Sequence, residues 1–347
     1  MVNKPSRLLI TTQVVDRTDP FLGFFHGWLA ELATHFEHIH VICLKEGEHS
    51  LPANVTVHTL GKERGRSRAG YIFSSLAYAW QLRREYDVVF VHMNQEYILV
   101  AGWLWKLLQK PIYLWRNHYA GGILTDLSAF FAKKVFCTSR FSYTAKYKKT
   151  VLMPIGVDTE LFTPNPSLRT PRSVLFFSRF APVKRPDMLL EALGILYREE
   201  IRFQASFYGT ALPHHAEYRE RTVRRAEEIA PHCVTFHEGV PHSEARAIFN
   251  AHEIFVNLSA SGTYDKTMFE AAASGCVVVA ASEDFASIAG SRFHVAENAH
   301  SVVVALRELL ALSPEERSNI ASRFRDTLIA GQSLKSLAMR LEQELAS

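Results

Sequence analysis

Three short segments carry side chains able to recognise a diphosphate and the sugar attached to it. Residues 261–275 read S-G-T-Y-D-K-T-M-F-E-A-A-A-S-G, a small-residue loop running into a helix that bears Glu270. Backbone N–H groups at such a helix start, with the positive end of the dipole, attract phosphate oxygens. Residues 178–186, S-R-F-A-P-V-K-R-P, place Arg179 at the end of an apolar run and Lys184 five residues on. A guanidinium fork and an ammonium converging on one point suit two adjacent phosphates and a leaving group gaining negative charge. The plainer alternative is two surface charges solvating a loop. Glu270 lies one turn beyond Lys266, where a carboxylate is poor for phosphate and good for a pair of sugar hydroxyls, or serves only to complement the helix dipole. In the first half, P-I-Y-L-W-R-N-H-Y-A-G-G sets His118 after an apolar run, able to bond a substrate hydroxyl or shuttle a proton.

Strand ends are needed to present these groups. Apolar runs of four to six residues recur between helix-like stretches, the alternation of a parallel sheet with crossover helices. In the first half, strands are expected over 7–11, 38–44, 55–60, 87–92, 111–115, 134–138 and 150–153, and helices over 23–36, 68–84 and 98–108. Residues 154–171 hold four prolines and no long apolar run, so they read as a linker. The alternation then restarts, with strands over 173–178, 202–208, 234–238, 254–257 and 277–281 and helices over 186–199, 217–229, 242–251 and 266–274. Further helices are expected over 301–312, 314–330 and 334–346. The expected fold class is α/β: two doubly wound, Rossmann-like domains over 1–167 and 168–330, and a helical segment, 331–347, free to pack back on the first. Open parallel sheets bind ligands at the carboxyl ends of their strands, so a site in an interdomain cleft is expected.

A chain of 347 residues with 48% hydrophobic and 21% charged residues is folded throughout rather than disordered, and long enough for two cores. Residues 1–165 hold 19 Lys/Arg against 13 Asp/Glu, a net +6, while the remainder nets −2. A basic first half suits an anionic lipid or substrate, or reflects ordinary surface variation, and no nucleic-acid partner is expected. Cys43, Cys137, Cys233 and Cys276 stand singly, as inert buried thiols of a reducing compartment do. No run of 18 apolar residues and no signal-like start occurs, so a cytoplasmic protein is expected, with peripheral contact at the inner face of the membrane as an option. No D-x-D stands at a strand end, and no metal is expected. The loop after the first strand lacks G-x-G-x-x-G, which counts against a nicotinamide or flavin enzyme.

Residues 174–193, V-L-F-F-S-R-F-A-P-V-K-R-P-D-M-L-L-E-A-L, with 265–280, D-K-T-M-F-E-A-A-A-S-G-C-V-V-V-A, resemble the donor domain of the family 4 glycosyltransferases, the glycosyl transferases group 1. Residues 154–164, P-I-G-V-D-T-E-L-F-T-P, are similar to that family's interdomain passage. The resemblance implies the GT-B fold and retaining transfer of a sugar from a UDP- or GDP-sugar to a hydroxyl acceptor. That acceptor would be a glycan, a lipid-linked sugar or a small molecule, in cell-envelope glycan or glycolipid synthesis, and no cofactor beyond the donor is implied. By position, Arg179 and Lys184 would hold the diphosphate and stabilise its charge, and Glu270 would bind the ribose hydroxyls. Gly239 would let the backbone approach the base; Ser261, Gly262, Asp265, Lys266 and Thr267 would surround the phosphates and donor sugar; His118 would stand near the reaction centre.

Two departures from the pattern matter. The first of the family's two glutamates falls at Gly262, with Asp265 the nearest substitute. The glycine pair after the first strand is replaced by D-P-F-L-G-F-F, leaving Gly23, so acceptor selectivity is expected from Asp19, Gly23, Asn94 and Glu96. The altered motif also leaves open a sugar-nucleotide-binding protein without transferase activity, or another GT-B enzyme such as an epimerase.

Overall fold

The computed structural model describes residues 7–19, 21–262 and 265–346, and the chain divides into two compact units. The first runs to Gly156, regains the chain at Leu334 and includes Gly262; the second holds Val157–Ser261 and Asp265–Ser333. Its elements in the first unit are β1 (Arg7–Val15), α1 (Phe24–Leu32), β2 (His38–Glu46), β3 (Val55–Thr59), α2 (Arg68–Gln81) and β4 (Val88–His92). There follow α3 (Glu96–Leu107), β5 (Ile112–Trp115), α4 (Ile123–Phe131), β6 (Lys134–Cys137) and β7 (Thr150–Leu152). The seven strands are ordered β3-β2-β1-β4-β5-β6-β7, and every pairing is parallel. Strand order therefore reverses between β1 and β4, where Leu9 is in register with Val89.

The second unit contains β8 (Ser173–Phe177), α5 (Pro186–Arg198), β9 (Gln204–Tyr208), α6 (Ala216–Ile229), β10 (Val234–His237) and α7 (His242–Ala251). It continues with β11 (Ile254–Asn257), α8 (Thr267–Ala273), β12 (Val277–Ala280), α9 (Glu283–Ala289), α10 (Ala299–Ala311) and α11 (Pro314–Gly331). These strands form a second parallel sheet, β10-β9-β8-β11-β12, reversing between β8 and β11. Local chemistry sets the helix starts. Pro186 opens α5, where its missing N–H costs nothing, and α11 begins with a capping box in which Ser313 and Glu316 satisfy each other's backbone N–H. Phe176 stacks on Phe207 at 5.3 Å, and Leu189, Leu193 and Leu196 of α5 are fully buried.

The last helix, α12 (Leu334–Ala346), belongs to the first unit. Successive residues of a strand face opposite sides of the sheet, so Leu8 and Ile10 join one core while Leu9 joins the other. The first core is closed by α1 and α12, with Phe25, Trp28, Leu337 and Leu341 in one cluster. The second core lies under α2, α3 and α4, through Ala79, Ile98, Trp105 and Ala129.

Helix α4 inverts the usual arrangement. Thr125, Ser128 and Ala129 are buried, while Ile123, Leu124, Leu127 and Phe130 are exposed. Each large apolar side chain so placed forgoes about 1.5–3 kcal/mol of burial. Small residues inside bring the helix close to its neighbour, and a Cβ on Gly102 of α3 would lie 3.4 Å from Phe131.

Candidate functional site

Reversal of strand order at β8 and β11 sends the chain away from the sheet on opposite sides, leaving a crevice at their carboxyl ends. Arg179 leaves β8 there and is exposed. A short 3-10 turn at Pro182–Lys184 carries Lys184, whose Nζ lies 2.6 Å from Asp265 Oδ2 and 3.1 Å from Ser259 Oγ. An ammonium has three donors, so one remains for a ligand. Asp265 Oδ2 also accepts from Asn257 Nδ2 at 3.0 Å and Ser259 Oγ at 3.3 Å, and Oδ1 accepts from the backbone N and hydroxyl of Thr267 at 3.2 and 2.5 Å. Burial alone would raise the Asp265 pKa; Lys184, Thr267 and Asn257 outweigh it and hold the carboxyl well below the usual range.

Asp265 therefore occupies the start of α8, where the sequence offers open N–H groups. Lys266 is buried, which lowers its pKa to about 7 against the opposing pull of Glu270 and Asp158. One turn on, Glu270 is buried and its Oε1 lies 3.0 Å from His242 Nε2. Burial would lower the His242 pKa, but Glu270 and Asp158 raise it above the ordinary value. Glu270 Oε2 has no hydrogen bond among the described residues and remains available to a pair of hydroxyls.

Around this set, Ser261 Oγ accepts the N–H of Glu283 at 2.9 Å and caps α9. Gly262 has φ +79°, a left-handed conformation that would cost a side-chain-bearing residue roughly 1–2 kcal/mol. Gly239 follows β10 and donates its N–H to Thr210 Oγ1 at 3.1 Å. With β9 between β10 and β8, it stands about 10 Å from the end of β8 along the sheet.

The first unit has its own carboxyl edge. After β1, Asp19 Oδ1 accepts the N–H groups of Phe21 and Leu22 at 2.9 and 2.8 Å. Gly23 follows in close contact, since a Cβ there would lie 2.6 Å from the Asp19 carbonyl oxygen. After β4, Met93 has φ +66°, Asn94 donates its N–H to the His92 carbonyl at 2.8 Å, and exposed Glu96 opens α3. His118, beyond β5, is exposed; its Nδ1 accepts the Ala120 N–H at 2.9 Å and its ring stacks on Tyr119 at 4.7 Å.

Lys184, Asp265 and Thr267 are thus joined in one hydrogen-bonded set, with Lys266 and Glu270 on the adjoining turn. Arg179 and Gly239 sit at separate strand ends outside that set, and Asp19, Gly23, Asn94, Glu96 and His118 belong to the first unit. Sequence reasoning missed Asn257, Ser259 and His242. The first two form a polar pair where the apolar run of β11 ends, and His242 opens the helix right after the Gly239 loop, which were the available signals. Among the described residues no group of three His, Cys, Asp or Glu is placed to hold a metal ion.

Residues 171–311, from the start of the second sheet through α10, match the family model of the glycosyl transferases group 1. In sequence the chain is 26% identical over 175 residues to the GtfA subunit of UDP-N-acetylglucosamine–peptide N-acetylglucosaminyltransferase from Streptococcus parasanguinis. That match takes in 48% of this chain and 33% of the relative, so the chain spans about a third of the length of the curated relative it matches. Anabaena HepE, solved in complex with UDP and glucose, is similar in fold with a TM-score of 0.76 at 17% identity, covering 98% of this chain and 99% of that one. Sucrose-phosphate synthase from Thermosynechococcus elongatus gives a TM-score of 0.76 at 17% identity over 98% of each chain. Two parallel, doubly wound sheets make the chain an α/β protein of the GT-B fold class, and its residues 171–311 are similar to the glycosyl transferases group 1.

Proposed function

We propose that the protein is a retaining glycosyltransferase that moves a sugar from a UDP-sugar to a hydroxyl acceptor in cell-envelope glycan or glycolipid synthesis. The observation carrying this reading is that the group 1 match contains both the reversal point of the second sheet and its cations, Arg179 and Lys184. A UDP-linked donor is favoured because the Streptococcus parasanguinis relative is named for UDP-N-acetylglucosamine and HepE was solved with UDP and glucose. On this reading the remaining donor of Lys184 and the Arg179 guanidinium take the diphosphate, and Glu270 Oε2 takes the ribose hydroxyls. Gly239 lets the base approach, and Ser261, Gly262, Asp265, Lys266 and Thr267 line the phosphates and donor sugar. The anomeric C–O bond to the diphosphate breaks as the acceptor oxygen attacks from the same face, and the acceptor proton passes to the departing phosphate. Arg179 and Lys184 stabilise the charge that grows on that phosphate, without a metal. His118 bonds a hydroxyl near the reacting carbon, and the loops bearing Asp19, Gly23, Asn94 and Glu96 select the acceptor.

The test is calorimetric titration with UDP-, GDP- and ADP-sugars, followed by mass detection of product from a lipid and glycan extract. Binding of one UDP-sugar is expected, with UDP released only when acceptor is present. Arg179→Ala should weaken UDP binding by about 1.5–3 kcal/mol, the worth of a hydrogen bond to a charged group. Wild-type affinity in that variant, or no binding of any sugar nucleotide, would overturn the reading.

A further inference from the structure

We propose that His242 is a positioning residue for nucleotide recognition: its ring fixes one oxygen of the Glu270 carboxylate and so aims the other at two neighbouring hydroxyls of a ribose. This rests on the reading that Glu270 grips the ribose, and it adds a residue of a second helix to that grip. Glu270 uses its oxygens unevenly. A carboxylate offers about four lone-pair sites, and Asp265, on the preceding turn, fills its two oxygens with five hydrogen bonds. Glu270 is buried as deeply, 4% exposed against 8%, yet among the described residues its side chain takes a single bond, at 3.0 Å from His242 Nε2 to Oε1. A pair serving only to tie α7 to α8 would not leave Oε2 open, since a buried polar atom without a partner is costly.

His242 is itself held in place. It is the first residue of α7, and its ring meets the Phe162 ring edge-on at 5.4 Å. Phe162 is fully buried; its N–H donates to the Asp158 carbonyl at 2.9 Å, and its own carbonyl accepts from Arg325 Nη1 at 2.8 Å. Asp158 Oδ1 accepts the N–H groups of Glu160 and Leu161 at 3.1 and 2.8 Å, closing the turn that carries Phe162. Support therefore runs from this turn through Phe162 to the imidazole, and from the imidazole to the carboxylate. The last torsion of a free glutamate is broad and roughly two-fold. Held through Oε1, the carboxylate cannot swing, and ordering Oε2 before a ligand arrives removes a cost of binding.

Charge accounts for an imidazole at this place. The charged groups facing His242 are Glu270 and Lys266 of α8 and Asp158 of the turn. Burial would lower the His242 pKa and Lys266 adds to that, but the two acids outweigh both and hold it above the ordinary value. A charged ring gives the stronger hydrogen bond to Oε1. Lys266 also attracts Glu270, from one turn back on the same helix. Without the imidazole, that ammonium draws the carboxylate along its own helix, away from the direction His242 sets.

The experiment is calorimetric titration of the full chain with uridine diphosphate and with its 2′-deoxy form, which lacks one of the two hydroxyls. Wild type is expected to prefer the ribose form about tenfold or more. His242→Phe keeps a ring against Phe162 and donates no hydrogen bond. It should lose roughly tenfold in affinity for uridine diphosphate and much less for the deoxy form, so that the preference collapses. His242→Gln, whose amide N–H reaches toward Oε1, should recover most of the preference. Wild-type preference in a folded His242→Phe would overturn the inference and leave the Glu270 reading standing. Equal losses toward both nucleotides, or a Gln variant no better than Phe, would place the effect in packing and overturn it as well. A wild type that binds both forms alike, or neither, would overturn the Glu270 reading and the inference with it. Should near-UV circular dichroism show His242→Phe unfolded, His242→Ala replaces it, with the same expected direction.

Discussion

The two sheets end in carboxyl edges of opposite character. In the second unit the carboxylates at the start of α8 are buried and held in place: Asp265 accepts five hydrogen bonds from four residues, and Glu270 is held by His242. In the first unit Glu96 and His118 are exposed, and Asp19 is held by N–H groups of its own turn. The contrast teaches where preorganisation lies. Fixed charges in a low-dielectric setting are costly to assemble and are aimed once, at a ligand part that does not change, whereas exposed turns adapt. On the proposed function, the constant part is the nucleoside diphosphate and the variable part the acceptor.

Asp265→Ala should break this contrast most severely. It leaves the half-buried Lys184 without its carboxylate and Asn257, Ser259 and Thr267 without their acceptor, and removing one partner of a fully buried pair, the upper bound here, costs about 3–5 kcal/mol. Urea unfolding of the full chain checks this, and a loss within 0.5 kcal/mol, roughly the scatter of a surface change, would show that the network is not structural. The His242–Glu270 pair comes next, worth at most about 1.5–3 kcal/mol. Because the folded His242 pKa is raised, its stabilisation is complete below the unfolded value of about 6.5 and is lost as pH climbs through the folded value. Melting temperature should therefore fall on raising pH through that range, and His242→Gln should flatten the fall. The smallest stability effect belongs to His118→Ala, within about 0.5 kcal/mol as for other exposed positions. Its turnover should nonetheless drop by roughly tenfold, the worth of one hydrogen bond of about 1.5 kcal/mol to the reacting sugar. Unchanged turnover would remove His118 from the site.

The sheets were legible because their strands are buried on both faces and read as unbroken apolar runs, Val88–His92 and Val277–Ala280 among them. Residues 123–131 did not stand among the clearest helical stretches of the sequence. Their pattern sets Thr125, Ser128 and Ala129 inward, the reverse of what hydrophobic periodicity looks for. Phe25 and Trp28 of α1 are buried against α12, a partner more than 300 residues away in the chain that no local pattern reveals. Arg179, Lys184 and Glu270 were visible because charge at a strand end or helix start is a local feature. That Lys184 and Asp265 share one proton-rich network was not, since 81 residues separate them and only the parallel register of β8 and β11 unites them. The path at residues 263–264 lies outside the described residues, so the expectation that the loop cradles phosphates extends there only as a proposal.

Gly262 carries a consequence for redesign. Its backbone occupies a conformation that favours glycine, so a glutamate placed there by a single substitution would meet local resistance before gaining any contact with a ligand. On the proposed function, altering donor preference at this point calls for exchange of the loop with its own backbone path rather than of one side chain.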